Sequence, residues 1–403
     1  MTKNNDKLKE LNLTELMCDD KNLLKNIVKN ALQEILEGEM NEIIGAEKSQ
    51  RSSSRVSYRS GYYTRNLVTR VGQIELRVPQ DRNGLFCTEI FNRYQRSEKA
   101  LVSSLMEMYV QGVSTRKVKK ITEELCGYKF SASTISNINK NLDEKLTSFS
   151  KRRLESEFPY IILDANYKKV RENSIVKSQA ILTAIGVNWD GNREILGIEL
   201  SNRESKSSWK DFLVGLKERG LKGVEFVVSD NHTGLKSAIS EVFTNAIWQK
   251  CYVHFLRNTL DYLPRKKVID DVLVELRWIY ERSDIKEARS SLKNWLLKWQ
   301  KKYSRLCDFV EENIEETLSF YHLPRQHHKN MKSSNVVERL NEEFKRRAFV
   351  IRIFPNRESC LRLIRAVAIE VQESWIERPR YINMDYYKEF KKARNRTQEQ
   401  EVA

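Results

Sequence analysis

The sequence lacks any long apolar run and any paired cysteine motif. No stretch approaches the roughly 18 apolar residues that a membrane-spanning helix requires, and residues 1–16 lack the features of a secretory signal peptide. The six cysteines are scattered without a Cys-x-x-Cys pair, which is typical of reduced cytosolic thiols and not of a disulfide framework. We therefore expect a cytoplasmic protein that makes no contact with a membrane.

An excess of positive charge is the main compositional signal. Lys and Arg number 71 against 55 Asp and Glu, which gives a formal net charge of +16. This balance favours a polyanionic partner, because each neutralised phosphate releases condensed counterions. Residues 1–50 hold 7 basic and 10 acidic side chains, whereas residues 51–100 hold 10 and 4. We interpret the change as a boundary between modules and expect DNA as the partner, with a generically basic protein as the alternative.

The first 100 residues divide into a helical and a β-rich segment. Apolar residues at helical spacing over residues 20–47 predict an amphipathic helix for packing or dimerisation. Residues 51–97 alternate Arg with Tyr, Val, Leu and Ile, which predicts a small β element with its arginines on one face. That face would contact a phosphate backbone or simply be solvated. The candidate DNA contacts here are Arg55, Arg59, Arg65, Arg70 and Arg77.

Two short helices around a tight turn follow, in a pattern that resembles a helix-turn-helix. Ser114 is a candidate N-cap of the first helix, Gly127 is its stop signal, and the second helix is predicted over residues 134–146. Many helical hairpins share this pattern, so DNA reading and plain packing both remain open. The candidate DNA contacts are Arg116, Lys117, Ser133, Thr134, Ser136, Asn137 and Asn139.

From residue 158 the apolar period changes to that of strands. Three strand-like runs are followed by alternating helix and strand, and the Asp190-Gly191 dipeptide predicts a hairpin between the second and third runs. This is the order of a ribonuclease H-like fold, so we expect the α/β class. Residues 257–330 predict helices throughout, including Trp278, Trp295 and Trp299 as core residues, which indicates a helical insertion.

Three carboxylates stand where they could converge. Two apolar strand-like runs stop at Asp164 and Asp230, and the helix predicted over residues 335–347 carries Glu338 opposite its buried stripe. Glu342 lies on the same polar side, so helical geometry does not choose between the two glutamates, and an Asp after a strand is often only a turn former. Together they would supply oxygen ligands for two Mg²⁺ or Mn²⁺ ions, as phosphoryl transfer requires.

Cys251 and His254 form a Cys-x-x-His pair directly after a predicted strand. A structural zinc site would need distant ligands such as Cys307, His327 or His328. We favour a buried pair that supports the floor of the active site.

Several long stretches resemble the Mutator-like transposases of bacterial insertion sequences, the insertion sequence 256 family. They include GYYTRNLVTRVGQIELRVPQDRNG, WQKCYVHFLRN, SDNHTGLKSAI and SSNVVERLNEEFKRR, and the resemblance covers roughly residues 55–385. It implies an aspartate-aspartate-glutamate transposase with a ribonuclease H-like core and a helical insertion. The family's acids correspond to Asp164, Asp230 and Glu338.

The family's Cys-x-x-His signature corresponds to Cys251 and His254. Two departures are present: Ala165 stands where Gly commonly follows the first acid, and His328 stands where Trp is usual. Neither change removes a ligand, so an active enzyme is expected.

The resemblance implies binding of double-stranded DNA at terminal inverted repeats, strand cleavage, and joining of the 3′-hydroxyl to target DNA. It further implies two Mg²⁺ or Mn²⁺ ions, a homodimer or higher oligomer on DNA, and a place at the bacterial nucleoid. Two alternatives are a catalytically inactive, transposase-derived DNA-binding protein and a structure-specific nuclease without strand transfer.

In chain order, the expected segments are an N-terminal helical segment (1–50), a basic β-rich module (51–100), a helix-turn-helix region (101–150), the first part of the core (151–256), a helical insertion (257–330), the last part of the core (331–385) and a polar, disordered tail (386–403).

Overall fold

The computed structural model describes residues 21–50, 55–88, 99–126, 130–140, 142–263 and 269–402. Residues 1–20 of the predicted N-terminal segment lie outside this part. The chain forms two units, Met1–Asn141 and Leu142–Ala403. Within the described ranges, every helix is too short or too polar to span a lipid bilayer.

The first unit contains a long helix and a two-stranded hairpin. Helix α1 (Lys21–Ile44) confirms the helix predicted over residues 20–47. Strands β1 (Arg59–Thr69) and β2 (Gly72–Asp81) pair antiparallel, as a small β element should. The buried contact between them comprises Leu36 of α1 and Leu67, Ile74, Leu76 and Val78 of the hairpin. Part of the apolar stripe of α1 is therefore covered by its own chain.

The hairpin does not place its arginines on one face. Arg65 pairs with Leu76, and Arg77 pairs with Thr64. Paired residues of an antiparallel ladder share a face, and neighbouring residues along a strand alternate between faces. Arg65 and Arg77 therefore belong to opposite faces, and the prediction of a single arginine face is wrong.

The described part of the first unit has three further helices: α2 (Lys99–Val110), α3 (Thr115–Cys126) and α4 (Ala132–Lys140). Leu105, Val118 and Ile135, one from each helix, are buried in a shared core. Ser114 caps α3 as predicted, since its Oγ accepts a hydrogen bond from the Lys117 backbone N at 3.3 Å. The helix-turn-helix role of α3 and α4 stays a prediction.

The second unit contains a five-stranded sheet in the order β5-β4-β3-β6-β7. Its strands are β3 (Tyr160–Glu172), β4 (Ile175–Val187), β5 (Arg193–Ser201), β6 (Phe226–Ser229) and β7 (Ile247–Lys250). The first three are antiparallel, whereas β6 runs parallel to both β3 and β7. The β4–β5 connection turns at Asp190-Gly191 as predicted, and Gly191 has a φ of +82°, which glycine adopts without steric cost.

The helices of this unit are α5 (Asp143–Lys151), α6 (Lys206–Glu218), α7 (Thr233–Val242), α8 (Tyr252–Thr259), α9 (Ile269–Trp278), α10 (Ile285–Trp299), α11 (Ser304–Asn313), α12 (Arg325–Met331), α13 (Asn335–Ala348), α14 (Arg357–Ile376) and α15 (Asp385–Val402). The helix predicted over residues 134–146 is thus divided between α4 and α5. The unit is mixed α/β.

Alternation along β3 sets the two faces of the sheet. Ile161 and Leu163 pack in one core with Trp209 of α6 and Leu235 of α7. Asp164, the next residue, belongs to the other face, where α13 packs against β3. The buried strand thereby delivers one carboxylate to the helix that carries Glu338.

The described residues between α8 and α13 are mostly helical, as the sequence predicts. Trp295 and Trp299 of α10 are buried as expected, and Trp295 Nε1 donates to the Val272 carbonyl oxygen at 3.2 Å. Trp278 is 54% exposed, so its predicted place in the core is wrong. It is the last residue of α9, where the helix gives way to a short 3-10 turn.

The polar tail is helical where the sequence predicts disorder. Two side chains of α15 anchor it on Glu225, which precedes β6. The Tyr387 hydroxyl and the Lys391 ammonium each donate to a Glu225 carboxylate oxygen at 2.7 Å. A local polarity pattern cannot reveal these tertiary contacts, which is why the prediction fails.

Candidate active site

Asp164 lies inside β3 and not at its end as the sequence predicts, because pairing with β4 continues to Glu172. Only 8% of its surface is exposed. One of its oxygens, Oδ2, accepts a hydrogen bond from Asn341 Nδ2 of α13 at 2.6 Å. Burial is the largest cause that raises the pKa of Asp164, to about 7. The charges of Asp230 and Glu338 raise it further, and His254 opposes them. Asp230 and Glu338 are therefore both near enough for their charges to act on Asp164.

Asp230 reaches the same edge of the sheet through the parallel pairing of β3 and β6. Ile162 pairs with Val228, so Asp164 and Asp230 each follow a paired residue by two positions. Side chains two positions apart share a face, which places the two carboxylates on the same face of neighbouring strands. The Asp230 side chain is fixed locally, because its Oδ1 accepts a hydrogen bond from the His232 backbone N at 2.9 Å.

Glu338 approaches this edge from the first turn of α13. Its Oε1 is buried and accepts no hydrogen bond from the described residues. The positive end of the helix favours a carboxylate at this position. Glu342, the alternative, instead lines a surface cleft with Arg346, Arg378 and other residues. Packing thus turns Glu338, and not Glu342, toward the two aspartates.

Cys251 and His254 lie beside Glu338. His254 Nε2 is 3.5 Å from Glu338 Oε1. Interaction with the Cys251 sulfur raises the pKa of His254 to about 9, although burial opposes the change. Burial alone would raise the pKa of the fully buried Cys251 thiol, but His254 and Ser334 outweigh it and lower that pKa. Both the backbone N and the Oγ of Ser334 donate to the sulfur, at 3.4 and 3.3 Å.

The donors present fit hard divalent cations at the aspartates. Carboxylate oxygens from Asp164, Asp230 and Glu338 are the ligand type that Mg²⁺ and Mn²⁺ prefer. A cation there would also favour the ionised form of Asp164, whose pKa is raised by burial and, less strongly, by the charges of Asp230 and Glu338. Cys251, His254 and Glu338 could separately hold an ion, since their ligand atoms lie within 4.8 Å of one another.

The distant zinc ligands considered from the sequence are engaged elsewhere. His327 Nδ1 lies 2.9 Å from the Tyr160 hydroxyl, and its Nε2 lies 2.8 Å from the Asn383 carbonyl oxygen. His328 Nε2 lies 2.9 Å from the Leu323 carbonyl oxygen. Cys307 is a buried residue of α11, and burial raises the pKa of its thiol to about 11.

The predicted DNA contacts of the hairpin occupy different environments. Arg59 is held by α1, donating to Glu37 at 2.7 Å and to Asn41 at 2.6 Å, so it braces the unit. Arg55 stacks over Tyr58, and Arg77 stacks over Tyr62. Arg65 is half-buried and Arg70 is exposed.

The predicted contacts of the helices are mostly exposed. Arg116, Lys117, Ser133, Thr134 and Asn137 are all exposed, and the side chain of Ser136 is outside the described part. The hydroxyls of Ser133 and Thr134 also hydrogen-bond to Ser131 Oγ at the start of α4. Asn139 is only 1% exposed, so its candidacy as a base-reading residue is wrong: it faces the helical core.

Comparison with known proteins identifies the family. Residues 1–378 match the family model described as Transposase, Mutator family. The chain is 60% identical to the transposase for insertion sequence element ISRM5 of Rhizobium meliloti, over 97% of this chain and 98% of that protein. It is 44% identical to the transposase for IS256 in transposon Tn4001 of Staphylococcus aureus, over 83% and 87% of the two chains. The chain belongs to the Mutator family of transposases.

Among solved structures, the Mos1 strand transfer complex aligns with 57% of this Mutator-family chain and 79% of its own, at 11% identity and a TM-score of 0.17. That score is too low to define a shared fold.

Two residues of this Mutator-family site are missing from the sequence-based prediction. Asn341 holds Asp164, and Ser334 holds the Cys251 sulfur. Asn341 follows Glu338 by three positions, which places the two on one side of α13. That spacing is a signal the sequence offers for Asn341. Ser334 precedes the helix, and only the tertiary contact reveals its role.

Proposed function

We propose that this Mutator-family chain is a metal-dependent DNA transposase that cuts the ends of an insertion sequence and joins the freed 3′-hydroxyl to target DNA. The convergence of Asp164, Asp230 and Glu338 on one edge of the sheet carries the proposal. The names of its relatives, transposases for insertion sequence elements, support it.

The proposed core is ribonuclease H-like. Its support is the strand order β5-β4-β3-β6-β7, with three antiparallel strands followed by two that run parallel to β3. Two acids come from adjacent strands β3 and β6, and the third comes from a helix after the insertion. The helices between α8 and α13 are the proposed insertion.

The three carboxylates would hold two Mg²⁺ or Mn²⁺ ions. Such ions supply charge stabilisation and lower the pKa of an attacking hydroxyl. Asn341 orients the Asp164 carboxylate, and the His232 backbone N fixes that of Asp230. His254 is proposed as a positioning residue, since it lies against Glu338 and in turn contacts Cys251.

A catalytically inactive DNA-binding protein is the alternative. A buried carboxylate with a pKa raised to about 7 lowers the stability of the fold at neutral pH. A protein that only binds DNA gains nothing from this arrangement, so the buried acid favours the enzyme.

A strand-joining assay with labelled element ends tests the proposal. With Mn²⁺ or Mg²⁺, we expect cleavage and joined products. Cleavage without joining would instead identify a nuclease, and the absence of both products would favour the inactive protein.

We also propose a homodimer or higher oligomer, because joining two ends requires two active sites. Leu24, Ile27 and Ile35 of α1 are exposed apolar residues suited to such a contact. Light scattering of the protein on paired ends measures the stoichiometry.

End binding is proposed for the first unit, through α3 and α4. The double variant Arg116→Ala/Lys117→Ala should weaken binding to all sequences and reduce the salt-dependence slope by about 1 per lost phosphate contact. Arg59→Ala should act differently, lowering the free energy of unfolding by about 1–3 kcal/mol because Glu37 and Asn41 lose a charged partner. Fluorescence anisotropy and denaturant unfolding separate the two effects. An unchanged salt slope in the double variant would contradict the assignment.

A further inference from the structure

A basic cleft of about 680 Å³ lies on the side of α13 away from the acids. Val336 and Arg339 line it, whereas Glu338 and Asn341 turn toward Asp164, as the 100° rotation per helical residue allows. The basic cleft is lined by six cationic side chains: Arg193, Arg282, Arg325, Lys329, Lys332 and Arg339. Glu281 is the one carboxylate among its described lining residues.

The charge of the basic cleft is largely uncompensated. Lys332 pairs with Glu281 at 2.7 Å. Across the described ranges of the chain, Arg282, Arg325, Lys329 and Arg339 form no salt bridge, and all four are exposed. Like charges placed side by side repel unless an anion lies among them. An anionic partner would stabilise this arrangement.

A neighbouring cleft of about 480 Å³ provides the contrast. It shares Arg193 and Arg339 with the basic cleft, and two of its three other arginines are paired, Arg378 being the exception among the described residues. Arg346 lies 2.7 Å from Glu343, and Arg347 lies 2.6 Å from Glu370. The neighbouring cleft also has three carboxylates, those of Glu342, Glu343 and Glu370, beside its arginines, where the basic cleft has one among its described lining residues.

Arg193 is held in place at the junction of the two clefts. Its guanidinium lies 4.3 Å from the ring centroid of Trp375 and 5.0 Å from that of Tyr381. Burial is the largest cause that lowers its pKa, and the nearby Arg378 and Arg339 lower it further. Stacking on the two aromatic rings thus holds the charged Arg193 side chain close to other cations.

We infer that the basic cleft binds the sugar–phosphate backbone of DNA, as a contact of the catalytic unit separate from end recognition by α3 and α4. The inference rests on the proposed function. The cations come from β5, from the helical insertion, from α12 and from α13, and they line a cleft of about 680 Å³, of which a single small anion would fill only a part. A chain of phosphates fits this spread. The insertion then has a role, since it forms one wall of the cleft.

The test is binding of the full-length protein to duplex DNA of random sequence at several salt concentrations. For Arg325→Ala/Lys329→Ala/Arg339→Ala, we expect at least tenfold weaker binding and a salt slope reduced by about 2 to 3. Arg346→Ala is the matched control, because it removes one surface arginine that is already paired; its slope should change by less than 1. Circular dichroism verifies folding, and Mn²⁺ binding by the triple variant should equal that of the wild type.

Wild-type affinity and slope in the triple variant would overturn the inference. So would an altered oligomeric state with an unchanged slope, which would identify an acidic protein segment as the occupant. Because binding is measured without cleavage or joining, a wild-type protein that joins no DNA would refute the proposed function but leave the slope comparison valid.

Discussion

Glu338→Gln is expected to abolish strand cleavage and joining while leaving binding of element ends intact. The change removes one ligand charge from the site with Asp164 and Asp230 and alters the shape of the side chain little. Loss of a metal ligand costs several kcal/mol of transition-state stabilisation, so the joining rate should fall by about a thousandfold or more. The joining assay with labelled ends measures the rate, and anisotropy measures end binding.

Glu342→Gln is the matched control for this experiment. It makes the same chemical change one helical turn later on α13, but its side chain lines the neighbouring cleft. Its joining rate should stay within about threefold of wild type, a difference below 1 kcal/mol. If Glu342→Gln lost joining activity and Glu338→Gln kept it, the assignment of the third acid to Glu338 would be wrong.

Asp164→Asn is expected to stabilise the metal-free protein at neutral and alkaline pH. The folded-state pKa of Asp164 is raised from 3.8 to about 7, so folding favours the protonated carboxyl. The buried Asp164 carboxyl therefore contributes fully to the stability of the fold below pH 3.8, where it is protonated. This contribution is lost as the pH rises to about 7. Above that range, the ionised buried group costs up to about 4 kcal/mol, and an uncharged amide avoids this cost.

Denaturant unfolding between pH 5 and pH 8 in a chelator measures this effect. Mn²⁺ should raise the stability of the wild type above pH 7 and leave that of Asp164→Asn nearly unchanged, because the variant lacks one ligand charge. Asp190→Asn is the control, since Asp190 is an exposed turn residue and should show neither change. Equal stability of wild type and Asp164→Asn at pH 8 without metal would contradict the burial argument.

Much of the local structure follows from sequence patterns. Alternating or continuous apolar runs predict β3, β4 and β6, and the Asp190-Gly191 turn predicts the β4–β5 hairpin. The apolar runs end at Asp164 and Asp230, which already indicates where the two carboxylates lie in the chain. Asp230 follows the end of β6, but β3 continues past Asp164 to Glu172, so the approach of the two acids depends on the parallel register of β3 and β6.

Other features depend on contacts between residues far apart in sequence. The tail beyond residue 385 is helical because it docks on Glu225, and Arg59 is an anchor because α1 supplies Glu37. The hairpin arginines separate because strand register sets their faces. None of these outcomes has a local signature in the chain.

The sequence by itself determined the family, the order of strands and helices, and the choice of two acids that follow apolar runs and a third acid on the polar side of a helix. Only the tertiary structure decided which glutamate approaches Asp164, since Glu338 and Glu342 share the polar side of one helix and packing alone distinguishes them. It also decided that Asp164 is buried among like charges and that cations from residues 193 to 339 form one cleft. Burial and the proximity of charges both depend on residues that are far apart in sequence, so a local sequence pattern does not reveal them.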